Sequence, residues 1–131
     1  MPDSPETFRF ADDGRFPNSR LPLLLYRAAI APDEASPEAM EQLLADNGWP
    51  PQWRSGVYPF HHYHSTAHET LGIARGSARL MLGGPKGREL SVAAGDVIVI
   101  PAGVAHRRLE SSPDFLVVGA RAVCSAGNAD Q

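Results

Sequence analysis

An all-β sandwich or barrel is the fold class this sequence predicts, on three observations. From Val57 onward, short apolar or alternating runs recur at roughly even spacing, the pattern of short strands. Between them stand Gly/Pro turn signals such as Gly83-Gly84-Pro85-Lys86-Gly87 and Pro101-Ala102-Gly103. Twelve glycines and twelve prolines in 131 residues favour a turn-rich β body over a helical one. That length suits one domain with one core.

The elements follow in order. Phe8 and Phe10 alternate with Arg9 as a short strand does, and Asp12-Asp13-Gly14 and Phe16-Pro17-Asn18-Ser19 are turn-rich. Residues 21–30 read as a second strand, apolar on both faces, which extends the main sheet or crosses to a second copy. A homodimer is therefore expected, through this segment or through the face bearing Ile98 and Ile100. Ser36-Pro37-Glu38 is a helix start, with a capping hydroxyl, a proline at the first helical position and an acid in the first turn. Met40, Leu43 and Leu44 give that helix one apolar stripe, and Asn47-Gly48 stops it, so it spans about 37–47. In the linker that follows, Trp49 and Trp53 either plug the helix onto the barrel or wall a ligand pocket. Residues 1–55 thus form an N-terminal extension packed on a barrel of residues 56–124, with a loosely held tail over 125–131.

Within the barrel, residues 57–64 and 69–74 are expected to pair as a hairpin around Ser65-Thr66-Ala67. Residues 77–82 follow, with Ala78, Leu80 and Leu82 facing one way and Arg79 and Met81 the other. Strands at 88–92, 97–100, 106–109 and 115–118 complete the series.

Composition bounds the function. Apolar content of 43% and charged content of 21% are ordinary for a soluble globular protein. The net charge is −3 and the basic residues are scattered, which argues against nucleic acid or an anionic membrane as partner. A single cysteine, Cys124, rules out an intrachain disulfide framework; it suits a reducing compartment and reads as structural. The acidic start has no apolar signal core, and no apolar run approaches membrane-spanning length, so a cytoplasmic location is expected.

The chemistry gathers in one stretch. Four of the five histidines, His61, His62, His64 and His68, fall within eight positions, with Glu69 next; the fifth, His106, lies far downstream. Imidazoles and a carboxylate so grouped are the ligand set of a borderline first-row metal ion. On a strand, His62 and His64 share a face while His61 and Tyr63 point away; Tyr58 and Phe60 continue the His62 face as an aromatic wall. The rival reading is a histidine-rich surface loop without metal.

The spacings sharpen this. Gly56, His62, His64, Glu69 and Gly76 read G-x5-H-x-H-x4-E-x6-G, and Gly95, Pro101, Gly103 and His106 read G-x5-P-x-G-x2-H. These resemble the paired motifs of the cupin superfamily over about residues 56–120, and the sequence departs only where the second motif closes on Asn and this chain has Glu110. The resemblance implies a double-stranded β-helix, or jelly roll. It also implies one divalent ion (Fe, Mn, Ni, Zn or Co) on His62, His64, Glu69 and His106. It selects Glu69 over His68, because Glu69 keeps the distance to Gly76. His61 and His68 are then expected to be exposed or bonded to backbone. Gly76 and Gly95 are expected at turn positions of positive φ.

Glu110 could orient a ligand or act as a base, or could pair with Arg107, Arg108 or Arg121. The implied function is a metal-dependent enzyme, oxygenase or isomerase in type, acting on a small anionic or enolisable molecule. One carboxylate against a divalent ion leaves a net positive charge that an anion would neutralise. The alternatives are a metal- or ligand-binding module without turnover, and a purely structural ion.

Overall fold

A computed structural model describes residues 4–123, the side chain of Val123 excepted; Cys124 and the 125–131 tail lie outside the described residues. In chain order the elements are β1 (Glu6–Phe10), β2 (Ser19–Tyr26), a 3-10 turn (Pro32–Glu34), α1 (Pro37–Asp46), β3 (Trp53–Ser55), β4 (Ala67–Arg75), β5 (Ser77–Leu82), β6 (Arg88–Ala93), β7 (Val97–Ile100), β8 (His106–Ser111) and β9 (Leu116–Val123). They form two antiparallel sheets. The larger runs β1-β2-β7-β4-β9-β3 and the smaller β6-β5-β8. Two antiparallel sheets closing on one core, with a single helix outside, make an all-β jelly roll.

Alternation decides what faces what. Leu23 and Leu25 of β2, Leu71 and Ile73 of β4, Ile98 and Ile100 of β7 and Val117 of β9 point between the sheets. They meet Ala78, Leu80 and Leu82 of β5 and Leu90 and Val92 of β6 in the main core. On the outer face of the larger sheet, Val97, Ala74 and Val118 pack against Met40 and Leu44 of α1, with Tyr26 and Trp49 alongside. The helix docks at Gly72, where a Cβ would stand 2.3 Å from Met40 Cγ; only a glycine lets the helix approach so closely.

This layering corrects two expectations. The strand read over 21–30 ends at Tyr26; its Leu23 and Leu25 are buried in the main core, and Tyr26 packs in the helix layer. Ile98 and Ile100 are buried in the chain's own barrel and offer no face to a second copy. The two tryptophans divide between the two readings. Trp49 seals the helix, whereas Trp53 packs at the edge of the main core and lines a cavity.

The expected 57–64 strand does not form, nor does its hairpin with β4. The segment runs as coil beside β8 instead, held by Arg108 N–H to the Tyr58 carbonyl (2.8 Å), reciprocal bonds between His62 and His106 (3.1 and 2.9 Å) and Gly103 N–H to the His64 carbonyl (2.9 Å). Its β propensity is low around Pro59, and two bends leave it only the single bridge His62–His106. It therefore extends the smaller sheet, while β3 takes the edge place beside β9.

Helix α1 begins and ends as its sequence predicts. The Ser36 hydroxyl accepts from Ala39 N–H at 3.0 Å, and Gly48 sits at φ +83° just past the end. Gly76 and Gly95 have positive φ, +74° and +99°. Asn18, itself at positive φ, is buried and ties the N-terminal segment to the barrel. Its side chain donates to the Gly83 and Ala11 carbonyls and accepts from Ala105 N–H.

Candidate metal centre

Three elements converge at one end of the barrel. The 57–64 segment brings His62 and His64, β4 brings Glu69, and β8 opens with His106. Glu69 lies on the inward face of β4, in line with Leu71 and Ile73, and is buried. Opposite it in register on β9 stands Arg121, facing the same interior. His106 is buried on the inward face of β8, opposite Leu82.

One ligand atom from each of His62, His64 and His106 lies within 4.8 Å of the others, a span that one ion can bridge. Glu69 faces two of these rings. Its Oε1 is 3.0 Å from His106 Nε2, and its Oε2 is 3.3 Å from His64 Nε2 and 3.0 Å from Arg121 Nε. The Arg121 contact is a hydrogen bond. The two histidine approaches lack hydrogen-bond geometry, so both Nε2 atoms are buried without a partner. Buried polar atoms are nearly always satisfied, and a cation among these nitrogens and the carboxylate would satisfy both. The donor set of three imidazoles and a carboxylate suits a borderline divalent ion.

The other ring nitrogens support this. Nδ1 of His106 lies 3.2 Å from the Val104 carbonyl, and Nδ1 of His62 lies 3.3 Å from the Phe60 carbonyl. With the proton held there, Nε2 carries the lone pair that a metal needs. Burial, and then the neighbouring His106, push the His62 imidazole down to about 4. Burial likewise lowers His64. For Glu69, burial would raise the carboxyl, but contacts with His106, His64 and Arg121 outweigh it and hold the group below its ordinary value. The lowered His62 and His64 imidazoles and the lowered Glu69 carboxyl all shift towards the forms that ligate a metal.

The remaining candidates separate from this group. His68 is on the opposite face of β4 from Glu69, where its Nδ1 accepts from Ala102 N–H at 2.9 Å, the backbone bond expected of it. His61 departs from expectation, being neither exposed nor bonded to backbone. It is half-buried against Phe16, with ring centroids 5.3 Å apart, and its Nδ1 has no hydrogen-bond partner. Tyr58 and Phe60 stack at 5.0 Å and meet the His62 ring edge-on, but both are more than half exposed; their wall stands at the mouth and not inside the barrel.

Glu110 is excluded from the centre. Leu109 is an extra residue in β8, since Arg108 pairs with Leu80 while Glu110 pairs with Arg79. This bulge breaks the parity that would have turned Glu110 inward with His106. The carboxylate is exposed, and Arg79, whose Nε is 3.0 Å away, lowers its pKa.

A cavity of about 630 Å³ opens over the group, and Trp53, Tyr58, Leu71, Arg108 and Arg121 are among its walls together with His62, Glu69 and His106. Arg121 lies over the Trp53 ring at 4.7 Å. Sequence reasoning did not place Arg108 or Arg121 here. The period of two from His106 to Arg108 was the available signal for the first; the pairing of Glu69 with Arg121 needs the register of β4 and β9.

Comparison with known proteins agrees with this architecture. A cupin-domain family model matches residues 50–112. An uncharacterized protein, YjlB of Bacillus subtilis (strain 168), is 43% identical over 116 residues, spanning 88% of this chain and 68% of its own length. The chain belongs to the cupin superfamily. Among solved structures, this cupin is similar to a DUF861-family protein from Thermotoga maritima, with 20% identity over 74% of this chain and 96% of the other and a TM-score of 0.45. It is also similar to an acireductone dioxygenase from Bacillus anthracis that carries a cadmium ion in its active centre, with 14% identity over 81% and 80% of the two chains and a TM-score of 0.46. No helix among the described residues is long and apolar enough to cross a membrane.

Proposed function

We propose that this cupin binds one divalent metal ion through His62, His64, Glu69 and His106 and acts as an oxygenase-type enzyme on a small anionic molecule. The observation that carries the reading is the pair of buried Nε2 atoms on His64 and His106, which face the Glu69 carboxylate yet make no hydrogen bond. When bound, the ion supplies Lewis acidity, redox capacity if it is Fe or Mn, and coordination positions beyond the four protein ligands.

The chain's own residues do the rest. The Val104 and Phe60 carbonyls keep the Nδ1 protons of His106 and His62 in place. Arg121 donates a hydrogen bond to Glu69 and fixes the orientation of its carboxylate. Trp53, Tyr58 and Leu71 give the cavity apolar walls that displace water from a ligand.

The same lining favours oxygenase over isomerase. Among the described residues around the cavity, every imidazole and carboxylate belongs to the proposed ligand set. Outside that set the lining offers no imidazole or carboxylate to serve as a separate base. An isomerase needs a separate base to carry the proton; oxygen chemistry on a chelated substrate does not. The missing base is equally compatible with a module that binds without turnover, so the test must separate the two. Protein purified without a histidine tag should contain close to one metal ion per chain. Iron-loaded protein should consume O2 with at least one member of a panel of keto acids, diketones and phenols. Metal without O2 uptake or product would favour the binding module, and absence of metal would refute the site itself.

A further inference from the structure

We infer that Arg108 determines the ligand specificity of this cupin by taking a second anionic group, one that the metal does not hold. The ligand class is then a small planar dianion. This rests on the metal reading above for its first anionic group but not for its second.

The argument begins with alternation. Arg108 is two residues beyond His106 on β8 and opposite Leu80, whose side chain is buried in the core, so the Arg108 side chain starts inward on the same face as His106. It lines the cavity and is half-buried. Among the described residues its guanidinium has no hydrogen bond, ion pair or aromatic partner. Arg54, Arg79 and Arg121, all more than two-fifths exposed, are each paired with carboxylates. A partly desolvated guanidinium without a counter-ion is costly, and a planar fork of donors is suited to a carboxylate.

The position of Arg108 is also fixed. Its backbone N–H donates to the Tyr58 carbonyl at 2.8 Å, which ties it to the segment that carries His62 and His64. The electrostatics point the same way. Two guanidinium groups, Arg108 and Arg121, face a single carboxylate, Glu69, so the cavity is cationic before any metal ion is counted, in a chain whose net charge is −3. Arg121 is already engaged by Glu69 and Trp53, which leaves Arg108 as the cation available to a ligand.

Size and shape follow. Residues two apart on a strand are separated by roughly 7 Å, so the second anionic group lies about one six-membered ring away from the atoms at the histidines. Trp53, Tyr58 and Leu71 give the intervening space apolar and aromatic walls suited to a flat ring.

The test compares two probes by calorimetry on zinc-loaded protein, zinc being chosen so that no redox turnover intervenes. Salicylate offers one chelating pair of oxygens; 2-hydroxyterephthalate offers the same pair and a second carboxylate across the ring. The dianion should bind roughly ten- to a hundredfold more tightly, as a charge-assisted contact implies. Arg108→Gln should erase most of that preference, lowering dianion affinity far more than salicylate affinity, while zinc content stays as in the wild type. Arg108→Lys, which keeps the charge but loses the fork, should retain part of the preference and covers the case in which the Gln variant folds poorly. Equal affinities in the wild type, or a preference that survives in Arg108→Gln, would overturn the inference. Zinc content is measured alongside and judges the metal reading separately. If the wild type holds no zinc, a preference for the dianion that depends on Arg108 in metal-free protein still supports the role of Arg108, and its absence there refutes it.

Discussion

Gly119→Ala tests how the cavity wall is built, without touching a proposed ligand. Gly119 on β9 pairs directly with Trp53 on β3, and the indole lies across it. A Cβ at this position would stand 2.1 Å from Trp53 Cε2 and Cζ2 and 2.5 Å from Nε1. These are rigid ring atoms on a strand whose backbone is held by pairing, so the indole must tilt or β3 must separate from β9. Overpacking of this kind costs about 1–3 kcal/mol. Spread over 131 residues, the unfolding entropy is about 0.28 kcal/mol/K, so the melting temperature should fall by about 4–11 °C. The disturbance should also reach the metal centre, because Arg121 rests on the Trp53 ring at 4.7 Å and holds Glu69. Zinc affinity should drop about tenfold, the scale of losing a residue that orients a ligand.

Thermal melts and zinc titration of wild type, Gly119→Ala, Trp53→Ala and the double variant form a double-mutant cycle. In the Trp53→Ala background the clash is gone, and Gly119→Ala should cost almost nothing. A melting temperature of Gly119→Ala within about 1 °C of wild type, or an equal cost in both backgrounds, would refute the reasoning.

Four further outcomes are expected. His62→Ala, His64→Ala and His106→Ala should each lose the metal, and Glu69→Gln should weaken it substantially, while His61→Ala and His68→Ala leave it bound. Metal analysis of the six variants checks this, and loss in His68→Ala with retention in Glu69→Gln would shift the assignment by one residue. Chelator-treated protein should keep its β circular-dichroism spectrum, since the core is built without the ion; collapse of the spectrum would make the ion structural. The metal-free protein should lose stability on acidification. His62 titrates near 4 when folded against an ordinary 6.5, so its contribution is complete above about pH 6.5 and is lost as pH falls towards 4. His64 acts in the same direction, and Glu69, also lowered, adds a further loss as pH falls below its ordinary 4.5. Melts that hold steady or improve from pH 6.5 to 4 would contradict these directions. Finally, Glu110→Gln should leave metal content and ligand binding unchanged, because its carboxylate pairs with Arg79 on the outside of the barrel; a large effect on either would return it to the site.

The strands with strong alternation were legible directly. Residues 77–82 coincide with β5, and their inward and outward faces are as expected, because a period of two together with a Gly-rich turn leaves little choice of register. Helix α1 was equally plain, since its cap, its proline and its stop are local signals. The 57–64 segment was misread as a strand because alternation of aromatic and imidazole side chains resembles a strand even where the backbone has only one bridge to a neighbour.

By itself the sequence named the residues that the fold gathers, His62, His64, Glu69 and His106, because their types, order and spacing are short-range features of the chain. Alternation required that only one of Glu69 and His68 face inward, and the motif's distance to Gly76 picked Glu69, which the structure buries. Only the tertiary structure decided the rest. The bulge at Leu109 turned Glu110 out to Arg79, the register of β4 against β9 set Arg121 on Glu69, and the packing of the 57–64 segment along β8 brought His62 beside His106. The physical reason is common to all three. Which residues face each other across strands depends on contacts between distant parts of the chain, and a single inserted residue reverses every side chain beyond it.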